Sequence, residues 1–294
     1  LGVTTTFNPS ASATDIFSAA ELQRSGRILA PRLFSTGNII YGARSTSLAD
    51  INSLDDAREH VRRLKAQGAI AVKNYNQPRR EQRQQVTTAA REEGLMVVSE
   101  GGSLFHMDLS MVADGNTAIE HNLPQSVLYD DVLQFWGQTN VAYTPTLVVV
   151  YGGLRAETYW YQETEVWKHP LLSRFVPPDI LQPGSVRRTM APLTDYHYIR
   201  VAAQAKKLAD AGVLVTIGAH GQREGLGSHW EIWGFAQGGM SPLGALRTAT
   251  IAAATKLGME DDIGSIEAGK LADLVILNAN PLEDIYQTDK VDKV

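Results

Sequence analysis

The sequence predicts an α/β protein built on a (β/α) barrel. Short apolar runs rich in β-branched residues alternate with amphipathic helical segments, which is typical of parallel βαβ units. Seven such runs occur before residue 219, and this number favours a barrel over an open sheet. The length of 294 residues also fits, since a (β/α)8 barrel takes roughly 250 residues.

The individual elements follow from local patterns. Three helices are indicated: one begins at Ser53 as its N-cap, one spans residues 79–93 and ends at Gly94, and one spans residues 195–211. The predicted strands cover residues 3–7, 32–35, 69–75, 95–100, 117–121, 141–150 and 213–218.

Two stretches interrupt the alternation of strands and helices. Residues 151–194, rich in aromatic residues and proline, form a long excursion after the sixth predicted run. Long connections inside compact domains are commonly functional, so a lid over the site and a packed or oligomer-forming surface are both open. In the tail, Ser241 caps a predicted helix to Leu257. The last part of residues 264–277, behind a glycine turn, predicts a buried strand of a separate sheet.

Composition excludes several functional classes. The net charge of −5, without a basic stretch, argues against a nucleic-acid partner. The lack of cysteine excludes disulfides, thiolate–zinc sites and cysteine nucleophiles, and no apolar run has the length of a membrane span. The chain begins at Leu1 without an initiator Met, so we expect a piece of a longer polypeptide.

Four polar residues at or just after the ends of predicted strands form the candidate site: Lys73, Glu100, His121 and His220. In a barrel these positions open onto one mouth, where active sites lie. Glu and His are ordinary ligands of zinc and similar divalent metals, whereas Lys becomes a ligand only when carboxylated. The four together therefore predict a metal site.

Each residue also has a structural interpretation. Lys73 fits a salt-bridged charge, Glu100 an acceptor for the following glycine turn, and His121 a buried core histidine. Further candidates follow the same strands and are predicted to contact substrate: Tyr75, His106, Gln222 and His229.

The tail carries a resemblance to a known family. The segments ALRTAT at 245–250 and GSIEAGKLADLV at 264–275 resemble the C-terminal signature of the amidohydrolase superfamily, closest to its imidazolonepropionase-like and prolidase-like members. The segments GAHGQ at 218–222 and GLGSHW at 225–230 are similar to a bacterial subgroup in which this module follows a TolB-like β-propeller.

The resemblance implies a TIM-type barrel lacking strand one, over residues 1–258, and the start of a composite β-sandwich at 259–294. It also implies one or two divalent metal ions, with zinc expected. The ligands that it implies are a carboxylated Lys73 and His121. Glu100 replaces a family His, and His220 replaces the family's Asp base, so the resemblance implies His220 as a ligand or as the catalytic base. The His-x-His pair of the first strand is missing.

The predicted function is therefore metal-dependent hydrolysis of an amide C–N bond in a dipeptide, a cyclic amide or a related small molecule. The alternative is a non-catalytic, ligand-binding or scaffolding barrel that has lost its metal, which the changes at Glu100 and His220 support. Whether the chain forms a homo-oligomer, and whether it works in the periplasm or the cytoplasm, are both open.

Overall fold

A computed structural model describes residues 1–42, 50–102 and 104–294. The chain divides into two compact units. The N-terminal unit comprises Val3–Glu120 and Gln138–Tyr143, and the C-terminal unit comprises Leu1–Gly2, His121–Gly137 and Thr144–Val294. None of the helices within the described ranges is both long and apolar enough to cross a membrane.

The N-terminal unit alternates strands with helices. Its elements are β1 (Thr5–Asn8), α1 (Ala13–Arg24), β2 (Arg32–Ser35), β3 (Ile40–Tyr41), α2 (Leu54–Ala66), β4 (Ala71–Tyr75), α3 (Arg80–Glu92), β5 (Met96–Glu100), α4 (Phe105–Ala113) and β6 (Ala118–Glu120). The helix predicted behind Ser53 is confirmed, because the Ser53 side chain accepts a hydrogen bond from the Asp56 N–H.

The strands of this unit run parallel. β1 pairs with β2, and a second sheet has the order β3-β4-β5-β6-β7, where β7 is Ala142–Thr144. The apolar faces of α2 and α3 cover one side of β4 and β5, with Val61, Val72, Val86 and Val97 in a single buried cluster. The predicted parallel βαβ units are therefore confirmed here, while closure into a complete barrel stays a prediction.

The C-terminal unit is mainly helical. Its elements are α5 (Asp130–Gly137), α6 (Ala156–Glu163), α7 (Pro170–Phe175), α8 (Pro178–Leu181), α9 (His197–Asp210), α10 (Leu226–Gln237), α11 (Pro242–Thr248), α12 (Ile251–Lys256), β8 (Ile276–Leu277) and β9 (Val291–Lys293). Within the excursion, Trp160 is buried and its ring meets that of Trp233 on α10 edge to face, with the centroids 4.9 Å apart. This part of the excursion is a packed element of the unit.

Two predicted strands are shorter than expected. In the run 141–150 only Ala142–Thr144 is extended, because Pro145 removes a donor and Thr146 adopts a left-handed conformation with φ 55°. In the run 213–218, only residue 215 forms a β-bridge. The N–H groups of Ile217 and Gly218 instead donate to Thr248 and Glu231, so they form no strand ladder.

The tail also differs from its prediction. The helix expected from Ser241 to Leu257 breaks between α11 and α12, where the Thr248 and Thr250 hydroxyls donate to carbonyls of the preceding turn. The predicted buried strand is short and exposed: Ile276–Leu277 pairs antiparallel with β9, and Ile276 is 53% exposed. The composite β-sandwich therefore stays a prediction.

Candidate functional site

Lys73 and Glu100 form a buried ion pair in the N-terminal unit. The Lys73 Nζ atom lies 2.6 Å from Glu100 Oε2, and the two side chains are 3% and 4% exposed. Val72 faces the helices, so the alternation of side chains along β4 turns Lys73 to the opposite face of the sheet. Sequence analysis left Lys73 open as a metal ligand or as a salt-bridged charge, and the structure contains the salt bridge.

The surroundings of the pair include Tyr75, two residues along β4. The Lys73 ammonium lies 5.8 Å from the centroid of the Tyr75 ring, a cation–π contact. Burial, followed by the negative charge of Glu100, raises the pKa of the Tyr75 hydroxyl, which therefore stays protonated at neutral pH. Tyr75 is half-buried and remains a candidate substrate contact.

His121, His220 and Tyr151 cluster in the C-terminal unit. The His121 ring centroid lies 5.2 Å from that of His220 and 5.1 Å from that of Tyr151. Both histidines have left-handed backbones, with φ 68° at His121 and 55° at His220. Such conformations cost about 1 kcal/mol or more for a residue other than glycine, and they concentrate at functional sites.

His220, like Tyr151, is an exposed member of this cluster. Its Nδ1 atom lies 3.0 Å from the Oε1 atom of Gln222, while His121 is 5% exposed. In the neutral tautomer whose Nδ1 donates to this oxygen, Nε2 keeps a lone pair that can accept a proton. In that tautomer the basic side of the His220 ring is its Nε2 side.

Thr144 forms hydrogen bonds through both its carbonyl and its hydroxyl, and the carbonyl accepts from His121. The His121 N–H donates to the Thr144 carbonyl over 2.8 Å. The Thr144 hydroxyl lies 2.9 Å from that of Thr216 and accepts a 2.6 Å hydrogen bond from the buried ammonium of Lys256. Lys256 lies on α12, far along the chain, and sequence analysis did not single it out.

His106 and His229 differ in exposure. His106 is exposed on α4, and its ring centroid lies 5.7 Å from that of Phe105. His229 is 7% exposed, and its ring nitrogens lie 3.0 Å from the Thr288 hydroxyl and 3.0 Å from the Leu1 carbonyl. Burial lowers the pKa of His229. Its position at the mouth was predicted from its place after His220, but its contacts are those of a packed core residue.

The metal ligands predicted from sequence divide between the units. Lys73 and Glu100 belong to the N-terminal unit, and His121 and His220 belong to the C-terminal unit. Across residues 1–42, 50–102 and 104–294, no group of three or more His, Asp or Glu side chains is arranged to hold a metal ion. The Glu100 carboxylate is bound to the Lys73 ammonium, and an ammonium has no lone pair to give a metal, so Lys73 could act as a ligand only when carboxylated.

Two buried acids were missed by sequence analysis. Glu231, on α10, is fully buried, and burial raises its pKa to about 8 although backbone N–H groups counter the shift. Asp108, on α4, is likewise fully buried, and burial raises its pKa to about 7. The signal for Glu231 was available, since it is a lone acid in the apolar segment 230–235.

Comparison with known sequences matches almost the whole chain to one protein family. The amidohydrolase family model matches residues 2–294. The imidazolonepropionase of Symbiobacterium thermophilum is 58% identical over 40 residues, which are 14% of this chain and 9% of that relative. The matched segment is thus under a tenth of the curated relative's length.

Solved structures resemble the chain over almost its whole length. A Xaa-Pro dipeptidase with methionine bound in its active site superposes with a TM-score of 0.72 at 22% identity, covering 98% of this chain and 72% of that one. Phenylurea hydrolase B gives a TM-score of 0.70 at 16% identity, covering 99% and 72%. With the parallel sheet, these likenesses identify an α/β fold of the TIM-barrel type.

Proposed function

The chain belongs to the amidohydrolase family, and from that premise we propose that it hydrolyses an amide C–N bond in a small molecule or short peptide. The family match over residues 2–294 carries the proposal. Support comes from relatives named as a Xaa-Pro dipeptidase, a phenylurea hydrolase and an imidazolonepropionase. A dipeptide and a phenylurea share a bond between a carbonyl carbon and nitrogen.

His220 is the proposed base. With Nδ1 directed at Gln222, the Nε2 atom accepts a proton from water as the water oxygen attacks the carbonyl carbon. The imidazolium then donates this proton to the leaving nitrogen as the C–N bond breaks, giving a carboxylic acid and an amine. The neighbouring His121 ring lies in the same cluster, with its centroid 5.2 Å from that of His220.

The metal assignment stays a prediction from sequence. Amidohydrolases generally use divalent metals, and such an ion polarises a carbonyl and acidifies a bound water. Lys73, Glu100 and His121 are the proposed ligands, zinc is the proposed metal, and Lys73 would be carboxylated. His220 would be a further ligand where it does not act as the base. Metal analysis tests this: stoichiometric metal that falls in Lys73→Ala and His121→Ala supports the assignment, and its absence from the purified wild type contradicts it.

The second candidate is a ligand-binding or scaffolding barrel without catalysis. The buried Lys73–Glu100 ion pair favours it, because the pair satisfies both charges without a metal. The two candidates differ in a direct assay for amine release from a panel of L-Xaa-L-Pro dipeptides, N-acyl amino acids and a phenylurea. Turnover that is lost in His220→Ala and kept in His60→Gln supports the hydrolase, whereas no turnover across the panel supports the scaffold.

The wider organisation is also a proposal. We propose a bacterial polypeptide in which a TolB-like β-propeller precedes this module, on the strength of the segments at 218–222 and 225–230. Residues 1–258 would form the barrel and residues 259–294 the start of the β-sandwich. The coding sequence upstream of Leu1 tests this directly, since a propeller and an apolar strand ending in His-x-His are expected there.

A further inference from the structure

Glu231 is a buried acid whose two carboxyl oxygens bind different loops. It lies in the middle of α10, which is buried for most of its length, and the Glu231 side chain has no exposed surface. Oε1 accepts a 2.7 Å hydrogen bond from the N–H of Val148, and Oε2 accepts a 3.2 Å hydrogen bond from the N–H of Gly218. Its partners are thus main-chain groups of two segments about 70 residues apart.

The first of these segments leads to Tyr151. Val148 lies in the 3₁₀ turn Leu147–Val149, which follows the left-handed residue Thr146. Three residues after Val148, the Tyr151 ring meets that of His121. The Tyr151 N–H also donates to the Asn122 side chain over 2.7 Å, so this segment is held at both ends.

The second segment leads to His220. Gly218 precedes it by two residues, in a run that lacks a strand ladder to hold it. Gly218 packs so closely that a Cβ atom there would lie 2.6 Å from Thr144 Cγ2. Its hydrogen bond to Glu231 is therefore an attachment of the chain just before the left-handed turn at His220.

We infer that Glu231 is a positioning residue, which fixes the His220 and Tyr151 loops against each other so that both rings meet His121. Glu231 is assigned no contact with substrate, so it affects catalysis only through His220. To that extent the inference rests on the proposed function. Burial of a carboxyl group costs several kcal/mol unless hydrogen bonds compensate it, so a purely apolar role would be served better by leucine or methionine. Both oxygens are used, and both bind the backbone of the segments that carry the rings.

The test compares Glu231→Gln with Glu224→Gln in the full chain. The amide keeps the shape of the carboxyl group and one acceptor, but it turns an N–H₂ donor towards the second backbone N–H. Glu224 is an exposed acid before α10, so its variant controls for the loss of charge. We expect Glu231→Gln to fold, with an unchanged circular dichroism spectrum at low temperature.

The first readout is independent of catalysis. In ¹⁵N-labelled protein, the amide resonances of Gly218 and Val148, and that of His220, should shift and exchange with solvent at least tenfold faster in Glu231→Gln. Unchanged exchange at Gly218 and Val148 in the folded variant would overturn the inference. This readout stands even if no hydrolysis is found, so failure of the proposed function and failure of the inference are distinguishable.

The second readout is the split between kcat and KM on whichever panel substrate the wild type turns over. A positioning role predicts at least a tenfold fall in kcat with KM changed less than threefold, measured well below the unfolding midpoint. A merely structural role predicts a lower unfolding midpoint with kcat of the folded protein unchanged, and that result would overturn the inference. Glu224→Gln should match the wild type in both parameters.

Discussion

The ammonium of Lys73 and the carboxylate of Glu100 lie 2.6 Å apart with almost no access to solvent. Removal of two ions from water is costly, and only their mutual attraction and further hydrogen bonds offset that cost. The consequence is asymmetric: loss of both charges is tolerated far better than loss of one. Substitutions at positions 73 and 100 are therefore not independent of each other.

Glu100→Gln should therefore destabilise the protein by about 3–5 kcal/mol, because it leaves the Lys73 charge buried without its counter-ion. The double variant Lys73→Met/Glu100→Gln should recover most of that loss. Urea unfolding measures both. Glu92→Gln is the matched control, since its 2.7 Å ion pair with Arg58 is partly exposed and its loss should change stability little. Equal effects of Glu92→Gln and Glu100→Gln would contradict the argument.

Asp108→Asn should flatten the pH dependence of stability. Burial, and to a smaller extent Glu100, raises the pKa of Asp108 to about 7, while the Gly102 N–H and Arg83 counter the shift. Between about pH 4 and about pH 7 the unfolded chain has lost this proton and the folded chain keeps it, so stability falls as pH rises. Urea midpoints across this range should fall less steeply in the variant.

Asp114 provides the opposite control for this prediction. Burial raises its pKa, but hydrogen bonds from Arg80 and Gln84 outweigh that effect and hold the pKa below its usual value. Its contribution to stability is present above the pKa of the unfolded state and is lost as pH falls through that of the folded state. A pH slope that changes in the same direction in Asp108→Asn and Asp114→Asn would be inconsistent with these environments.

Gly218→Ala should lower stability by about 1–3 kcal/mol, because the new Cβ would lie 2.6 Å from Thr144 Cγ2 and 2.8 Å from Thr146 Oγ1. The backbone of Gly218 is not left-handed, so the effect is steric. Gly258→Ala separates the two causes: it has φ 66° and open space around its Cβ, and it should cost about 1 kcal/mol from backbone strain alone. Thermal unfolding ranks the two variants.

Gln222→Leu distinguishes two roles for Gln222. If its amide oxygen selects the His220 tautomer, loss of the 3.0 Å contact should lower kcat roughly tenfold or more with little change in KM. If Gln222 instead contacts substrate, as sequence analysis predicted, KM should rise. Steady-state kinetics on the best panel substrate separates these outcomes, and wild-type values for both parameters would exclude both roles.

The parallel strands were predictable from sequence where the whole apolar run forms a strand. Residues 32–35 match β2 at both ends, and β4 and β5 lie within their predicted runs. The run 141–150 misled because apolar β-branched residues suit a buried 3₁₀ turn as well as a strand, so Val148 and Val149 gave no sign of the change after Pro145. The local sequence pattern does not indicate which group accepts a hydrogen bond from a given backbone N–H.

The site was predictable in residue type but not in pairing. Strand-end polarity located His121 and His220, and the structure brings their rings together. It could not show that Lys73 and Glu100 neutralise each other, because sequence spacing carries no distance between strands. The contacts of His229 were not predictable for a related reason: its partners, Leu1 and Thr288, are distant in the chain.

The contacts of Glu231 also bear on how the residues around His121 and His220 can change during evolution. A carboxyl group that accepts hydrogen bonds only from peptide N–H groups does not depend on which side chains those peptides carry. Replacement of Tyr151 therefore alters the surroundings of His121 while the attachment of this segment to α10 persists. Libraries aimed at new substrates should randomise side chains on these two loops, keep their lengths, and leave position 231 untouched.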